Sequence, residues 1–195
     1  MNYFGRYKTI IGEERGAMAE LFGTDGIRGL ANTPPVDAET GLRLGRAVVE
    51  FCRRRGRKPH IVIGRDTRIS GEMLEYAVVS GVLSAGGAVS RAGEIPTPAI
   101  AYLARALGLG AGIVISASHN PYEYNGFKIF SGEGFKLSEG EESEIEELII
   151  KKDAVEDKKD PGRVEVLEGA RDLYLSFLMK TLPDDFNLRD MKIVL

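Results

Sequence analysis

Gly112-Ile113-Val114-Ile115-Ser116-Ala117-Ser118-His119-Asn120-Pro121 runs from an apolar strand pattern straight into a loop centred on serine. Branched apolar residues without polar alternation make a strand that is covered on both faces, the habit of parallel sheets flanked by helices. Asn120-Pro121 breaks the element, because proline has no amide hydrogen to donate and asparagine favours turns. The Ser118 hydroxyl therefore falls at the carboxyl end of a strand, where open α/β sheets bind their ligands. Taken alone, the same residues would also suit an ordinary strand-to-loop turn with solvated hydroxyls.

The flanking sequence sets this strand in an α/β frame. Asp37 suits a helix cap, and Leu42, Val48, Val49 and Cys52 recur at helical spacing up to Gly56, followed by a short apolar strand from His60 to Ile63. Ser70 fits the cap of a second helix, with Met73, Leu74, Ala77, Val78, Gly81 and Val82 on one face; Gly86-Gly87 ends it and Ala88 to Ala92 extends. Glu94-Ile95-Pro96-Thr97-Pro98 reads as a rigid loop, residues 99–107 as a helix, and Gly108 and Gly110 as the lead into the quoted strand. Strands alternating with helices predict parallel pairing and helices on both faces. Phe127 to Phe130 returns too soon for a helical crossover, so it is predicted to run antiparallel to its predecessor. The expected architecture is a three-layer α/β/α domain with a mixed, mostly parallel sheet.

Beyond it, Ser138 is a cap candidate for an acidic helix, whose Glu139 to Glu147 face is expected to be solvated, and Lys151 to Arg163 is charged and turn-rich enough to read as an exposed link. Val164 to Leu167 suits one more short strand. Leu173, Tyr174, Phe177, Leu178 and Leu182 form the apolar face of a helix ending at Pro183, and Met191 to Leu195 reads as the opening of a buried strand. At the other end, residues 1–18 lack periodicity and are expected to be a flexible extension or a consequence of start-site choice, with Met18 a candidate start.

Composition narrows the function classes. The chain has 195 residues, 43% apolar and 28% charged, as ordinary globular proteins do. A net charge of −3 gives no footprint for nucleic acid, and the one basic cluster, Arg53 to Lys58, lies at a helix end where cations suit the macrodipole. No apolar run approaches a bilayer span, and the single cysteine, Cys52, makes no internal disulfide, so a cytoplasmic location is expected.

Ser116-Ala117-Ser118-His119-Asn120-Pro121 followed by Asn125-Gly126-Phe127-Lys128 resembles the phosphoserine loop of the α-D-phosphohexomutases. Leu21-Phe22-Gly23-Thr24-Asp25-Gly26-Ile27-Arg28-Gly29 resembles the amino-terminal loop of that family, and Ile63-Gly64-Arg65-Asp66-Thr67-Arg68-Ile69-Ser70-Gly71 its second glycine-and-arginine loop, in the same order. Among the branches of the family the first block is most similar to the bacterial enzymes acting on glucosamine phosphate; the phosphomannomutase/phosphoglucomutase branch usually carries Tyr-Asp before Ile-Arg-Gly. The resemblance covers residues 19–170, which it identifies with the first domain of the family, and makes residues 171–195 a linker helix and the start of a second domain.

The resemblance implies that Ser118 carries the phosphoryl group, with Ser116 as the internal control, and that phosphate moves between the 6 and 1 positions of a hexose phosphate through a bisphosphorylated sugar. A serine hydroxyl is a weak nucleophile, so such chemistry needs a proton-handling group and cations. Lys128, ten residues beyond Ser118, matches the family lysine and is the general acid/base candidate; a solvated strand lysine is the blander alternative. Arg28, flanked by glycines, is assigned phosphate contact and acid/base support, against the alternative of holding a turn together. His119 and Asn120 are assigned to substrate binding; sequence neighbours usually point apart, which argues against His119 as the base for Ser118. Arg65, Asp66 and Arg68 fit either an ion-pair network shaping the site or anion contacts, with the network weighted more heavily. Thr67 and Ser70 read as caps, and His60 as structural. The implied cofactor is Mg2+, bound through the phosphate on Ser118 and an aspartate cluster in the second domain of the family; Asp184-Asp185 does not match that cluster.

The expectation is thus the phosphoserine domain of a mutase, inactive by itself and associating with the domains that follow it in the family. The alternatives are a phosphomannomutase/phosphoglucomutase of the same family in place of a mutase for glucosamine phosphate, and a non-catalytic module docking on a separately encoded remainder. A serine hydrolase has little support, since there is no Gly-x-Ser-x-Gly elbow.

Overall fold

The computed structural model describes residues 21–151, 155, 158–189 and 191–194; the expected extension at 1–18 lies outside them. In chain order the elements are β1 (Ile27–Leu30), α1 (Ala38–Arg54), β2 (His60–Arg65), α2 (Gly71–Ser84), β3 (Ala88–Glu94), α3 (Thr97–Ala106), β4 (Ala111–Ile115), β5 (Tyr124–Ser131), α4 (Glu139–Ile150), β6 (Val164–Val166) and α5 (Ala170–Met179). The strands form one sheet in the order β1-β5-β4-β2-β3-β6. From β4 to β6 the pairing is parallel, whereas β5 is antiparallel to both β4 and β1, so only β5 runs against the rest. This is the expected three-layer mixed architecture.

The period of two along each strand divides the core. Ile61 and Ile63 of β2 and Ile113 and Ile115 of β4 join α1, α2 and α4 in one cluster, while Val62 and Val114 join Ile100 and Leu103 of α3 on the other face. Asp37 caps α1 as read, its Oδ1 accepting from the Thr40 amide at 2.8 Å. Glycine sets how closely α1 and α2 approach. A β-carbon on Gly81 would lie 2.0 Å from the Leu42 carbonyl oxygen, and one on Gly45 2.3 Å from that of Val78.

Several expectations change in detail. Ser70 stands at the cap of α2, but its hydroxyl makes no capping bond; it accepts from Asn125 Nδ2 at 2.9 Å. The link after α4 is largely exposed where described, yet Val155 packs against the core and the backbone is pinned: the Lys158 amide donates to Ser84 O at 2.8 Å and that of Gly162 to Leu83 O at 2.9 Å. Backbone amides need no apolar side chain to dock, which composition alone cannot reveal. The acidic helix is not simply a solvated face. Glu142 is buried, Glu144 meets Arg55 at 2.7 Å, and Glu146 Oε2 accepts from the amides of Leu21 and Phe22. The basic end of α1 is thus satisfied by α4 as well as by its own macrodipole.

The apolar face expected on α5 exists but is only partly covered: Tyr102 stacks on Phe177 with centroids 4.3 Å apart, while Leu173, Leu178 and Leu182 remain exposed. Residues 191–194 are exposed and form no strand, because no described residue pairs with them; the Met191 amide closes a turn onto Leu188 O instead. No helix among the described residues is long and apolar enough to cross a membrane. Cys52 is buried, and that burial pushes its thiol up to about 11 despite the opposing pull of Arg57 and Arg55.

Gly81→Ala is expected to lower unfolding free energy by about 3 kcal/mol, since backbone rather than a yielding side chain blocks the new methyl. Urea denaturation measures this; an unchanged midpoint would show that α1 and α2 part easily.

Candidate active site

The loop leaving β4 is built to present Ser118. The Ser116 amide donates to Gly126 O at 3.0 Å, and Ser116 Oγ accepts from the Ser118 amide at 3.0 Å, so Ser116 is inward and occupied while Ser118 is exposed. Ser118 has φ +55°, the left-handed region that costs a residue bearing a β-carbon about 1–2 kcal/mol. Arg68 supplies the restraint. Its Nη2 donates to the carbonyls of Ser118 (3.0 Å) and Asn120 (2.8 Å), its Nη1 to those of Pro121 (2.6 Å) and Tyr124 (3.0 Å), and its Nε to Asp66 Oδ2 (3.0 Å). All the N–H groups of a guanidinium are then used, leaving none for an anion.

Arg65 is occupied in the same way. It contacts Glu72 at 3.1 Å, Glu75 at 3.2 Å and Glu94 at 2.9 Å, and Glu75, fully buried, takes a second arginine, Arg91, at 2.7 Å. Arg65, Asp66 and Arg68 therefore form an ion-pair network that shapes the site. Asn125, also fully buried, locks the far end of the loop, its Oδ1 accepting from the Gly126 amide at 2.9 Å.

The second half of the site comes from the loop before β1. Gly26 has φ +79°, and a β-carbon there would stand 2.2 Å from Phe127 O; one on Gly126 would stand 2.5 Å from Ile27 O. Backbone-to-backbone contact of this kind brings Asp25 and Arg28 onto β5 beside Lys128. Lys128 is buried, with 8% of its side chain exposed, and Nζ donates to Ser118 Oγ at 2.8 Å while pairing with Asp25 Oδ2 at 2.9 Å. Arg28 Nη2 reaches the same Asp25 oxygen at 2.5 Å, and its Nε donates to Asp25 O at 3.2 Å. Partial burial works to raise the Asp25 carboxyl, but Lys128 and Arg28 outweigh it and hold the group below its ordinary 3.8.

The structure thus brings Ser118 and Lys128 into direct contact and joins Arg28 to them through Asp25. His119 is exposed and makes no hydrogen bond to Ser118 among the described residues; Asn120 is half-buried, its carbonyl held by Arg68. Asp25 and the clamp made by Arg68 were the features that sequence reasoning missed. Asp25 lies within a quoted block, but its partner Lys128 is 103 positions away and is met only through the β1–β5 register of Ile27 opposite Phe127.

Among the described residues no three His, Cys, Asp or Glu groups are placed to hold a metal ion. Magnesium seeks about six oxygen ligands, and the one carboxylate beside Ser118 already serves two cations, so the described side chains do not make a magnesium site by themselves.

Fold and site define a class: an open α/β domain that displays a cation-flanked serine at the carboxyl ends of its strands. Residues 19–156 match the family model for "Phosphoglucomutase/phosphomannomutase, alpha/beta/alpha domain I", and the chain belongs to that family. It is 48% identical over 181 residues to a phosphoglucosamine mutase of Syntrophus aciditrophicus, and 48% identical over 179 residues to one of Thermodesulfovibrio yellowstonii, covering 91% and 90% of this chain. It spans about 40% of the length of each of those relatives. The crystal structure of a phosphoglucomutase/phosphomannomutase family protein from Burkholderia thailandensis superposes with a TM-score of 0.72 at 28% identity, over 83% of this chain and 35% of the other.

Two outcomes test this geometry. Arg68→Lys keeps the charge but loses the fork, so amide exchange within residues 118–124 is expected to accelerate by about tenfold while α1 is unaffected; unchanged exchange would mean that the loop holds itself. Because the folded Asp25 carboxyl is depressed, its contribution to stability is present above 3.8 and lost as pH falls through the folded value. The stability gap between the protein and Asp25→Asn should therefore close in acid, as pH-dependent melting would record.

Proposed function

We propose that this chain is the phosphoserine-bearing domain of a mutase that moves phosphate between the 6 and 1 positions of a hexose, with glucosamine phosphate as the preferred sugar. The observation that carries the reading is the 2.8 Å contact from the buried Lys128 ammonium to the exposed Ser118 hydroxyl at a strand end. Solvated strand lysines do not sit at 8% exposure against a strained serine. The names of the full-length relatives support both the reaction and the sugar.

In this reading Ser118 carries the phosphoryl group. As the Oγ–P bond breaks, a sugar hydroxyl oxygen forms the new bond to phosphorus and releases its proton to solvent while Lys128 gives its own to Oγ. Lys128 recovers that proton from Oγ when the other phosphoryl group returns from the sugar, whose freed oxygen takes a proton from solvent. Arg28 holds phosphoryl oxygens as charge spreads over them. His119 and Asn120, on the open side of the loop, contact the sugar phosphate. Residues 19–170 form the phosphoserine domain and 171–195 lead towards a second one. Turnover draws on the regions that the longer relatives have beyond this span. For Mg2+ the offering from this chain is an oxygen of the phosphoryl group on Ser118, with the remaining ligands supplied from those regions. Such a protein works among soluble sugar phosphates, which fits a cytoplasmic location.

Peptide mapping of the full-length protein from its own cells is expected to find phosphate on Ser118. Ser118→Ala should remove both phosphate and turnover, whereas Ser116→Ala, which loses one loop hydrogen bond, should keep much of each. Phosphate on Ser116, or turnover without Ser118, would overturn the assignment.

A further inference from the structure

Asp25 poses a problem that the phosphoserine reading does not absorb. Its Oδ2 lies 2.9 Å from Lys128 Nζ and 2.5 Å from Arg28 Nη2, so one carboxylate oxygen pairs with both cations that a phosphoryl group on Ser118 would need. Nζ is 2.8 Å from Ser118 Oγ, which places phosphoryl oxygens on that atom within reach of the same ammonium. The carboxylate is not required to hold its own loop. The Gly23 amide donates to Gly26 O at 2.9 Å, Lys136 Nζ donates to Thr24 O at 2.8 Å, and Ile27 and Arg28 are in register with Phe127 and Gly126. Nor is it fixed by burial: 45% of the side chain is exposed, leaving it room to turn towards solvent.

We propose that Asp25 is a competing carboxylate: it neutralises Lys128 and Arg28 while Ser118 is free, and it contests those cations when Ser118 is phosphorylated, so that the phosphoryl group is held loosely enough to leave. This rests on the phosphoserine reading above. Two anions sharing one pair of cations repel each other. The repulsion is greatest in the phosphoserine ground state and falls as the Oγ–P bond lengthens, so removing it stabilises the ground state more than the transition state. Asp25 is accordingly a positioning residue, acting through Lys128 and Arg28 rather than on the phosphoryl group itself.

The test uses the full-length protein, unsubstituted and as Asp25→Asn and Asp25→Glu, with two readouts. The first is the affinity of the dephosphorylated protein for inorganic phosphate, followed calorimetrically. Asp25→Asn should tighten it by about tenfold, and Asp25→Glu should leave it near the original. The second is the lifetime of phosphoserine without sugar present, expected to lengthen by about as much in Asp25→Asn and to return in Asp25→Glu. Weaker or unchanged phosphate binding in Asp25→Asn overturns the proposal and makes the carboxylate a mere anchor for the two cations. If Ser118 never carries phosphate in any of the proteins, the phosphoserine reading fails by itself, and the first readout still decides whether Asp25 competes with an anion. Thermal melting checks that Asp25→Asn folds; Asp25→Ser replaces it if it does not.

Discussion

The Arg68 guanidinium, donating to four main-chain carbonyls between Ser118 and Tyr124, is the interaction on which the presentation of the serine depends. A loop bent into the left-handed region at Ser118 turns its carbonyls inward, and inward carbonyls without donors carry a desolvation penalty. One planar fork satisfies them together, where an ammonium has three donors and no fixed geometry. The fork is itself aimed by Asp66, whose Oδ2 takes Nε and whose amide donates to Ile115 O at the end of β4. Serine loop and second loop are therefore one structure, made from adjacent parallel strands and cross-linked at their carboxyl ends.

A division of labour among the cations follows. Arg65 and Arg68 are spent on protein acceptors, the first mainly on carboxylates and the second mainly on carbonyls. Lys128 and Arg28 share one partly exposed carboxylate, an arrangement with room for exchange of partners. The distinction is one of saturation rather than residue type, and it separates arginines that shape a site from those that can meet a ligand. Keeping both kinds within one loop cluster requires the close backbone approach at Gly26 and Gly126, because any larger residue would push the loop before β1 off β5 and carry Asp25 and Arg28 away from Lys128.

Much of this was legible beforehand. Helical spacing, short apolar runs and turn residues placed the elements from Asp37 onward near their observed bounds, and the short return after Ser118 disclosed the reversed β5. The two serines differ in setting: Ser118 is exposed, whereas Ser116 is turned inward onto the loop. What stayed hidden shares a physical cause. The acceptors of Arg68 are carbonyls, which every residue owns, so no side-chain pattern marks them. Asp25 meets Lys128 through a strand register that neither segment encodes alone. The glutamates of α4 look like any solvated acidic run until the basic end of α1 is packed against them.

The same logic explains why α5 resisted a simple reading. A helical stripe of Leu173, Tyr174, Phe177 and Leu178 announces an apolar face, and periodicity carries no information about how much neighbouring surface is available to cover it. Here Tyr102 of α3 is the principal aromatic contact, so Tyr174 is half-buried while Leu173, Leu178 and even the stacked Phe177 stay exposed. Pattern determines which face is apolar; packing partners determine whether it is buried. At the site the order of inference reverses, since it is the burial of Lys128 against Ser118 that separates the acid/base candidate from a solvated strand lysine.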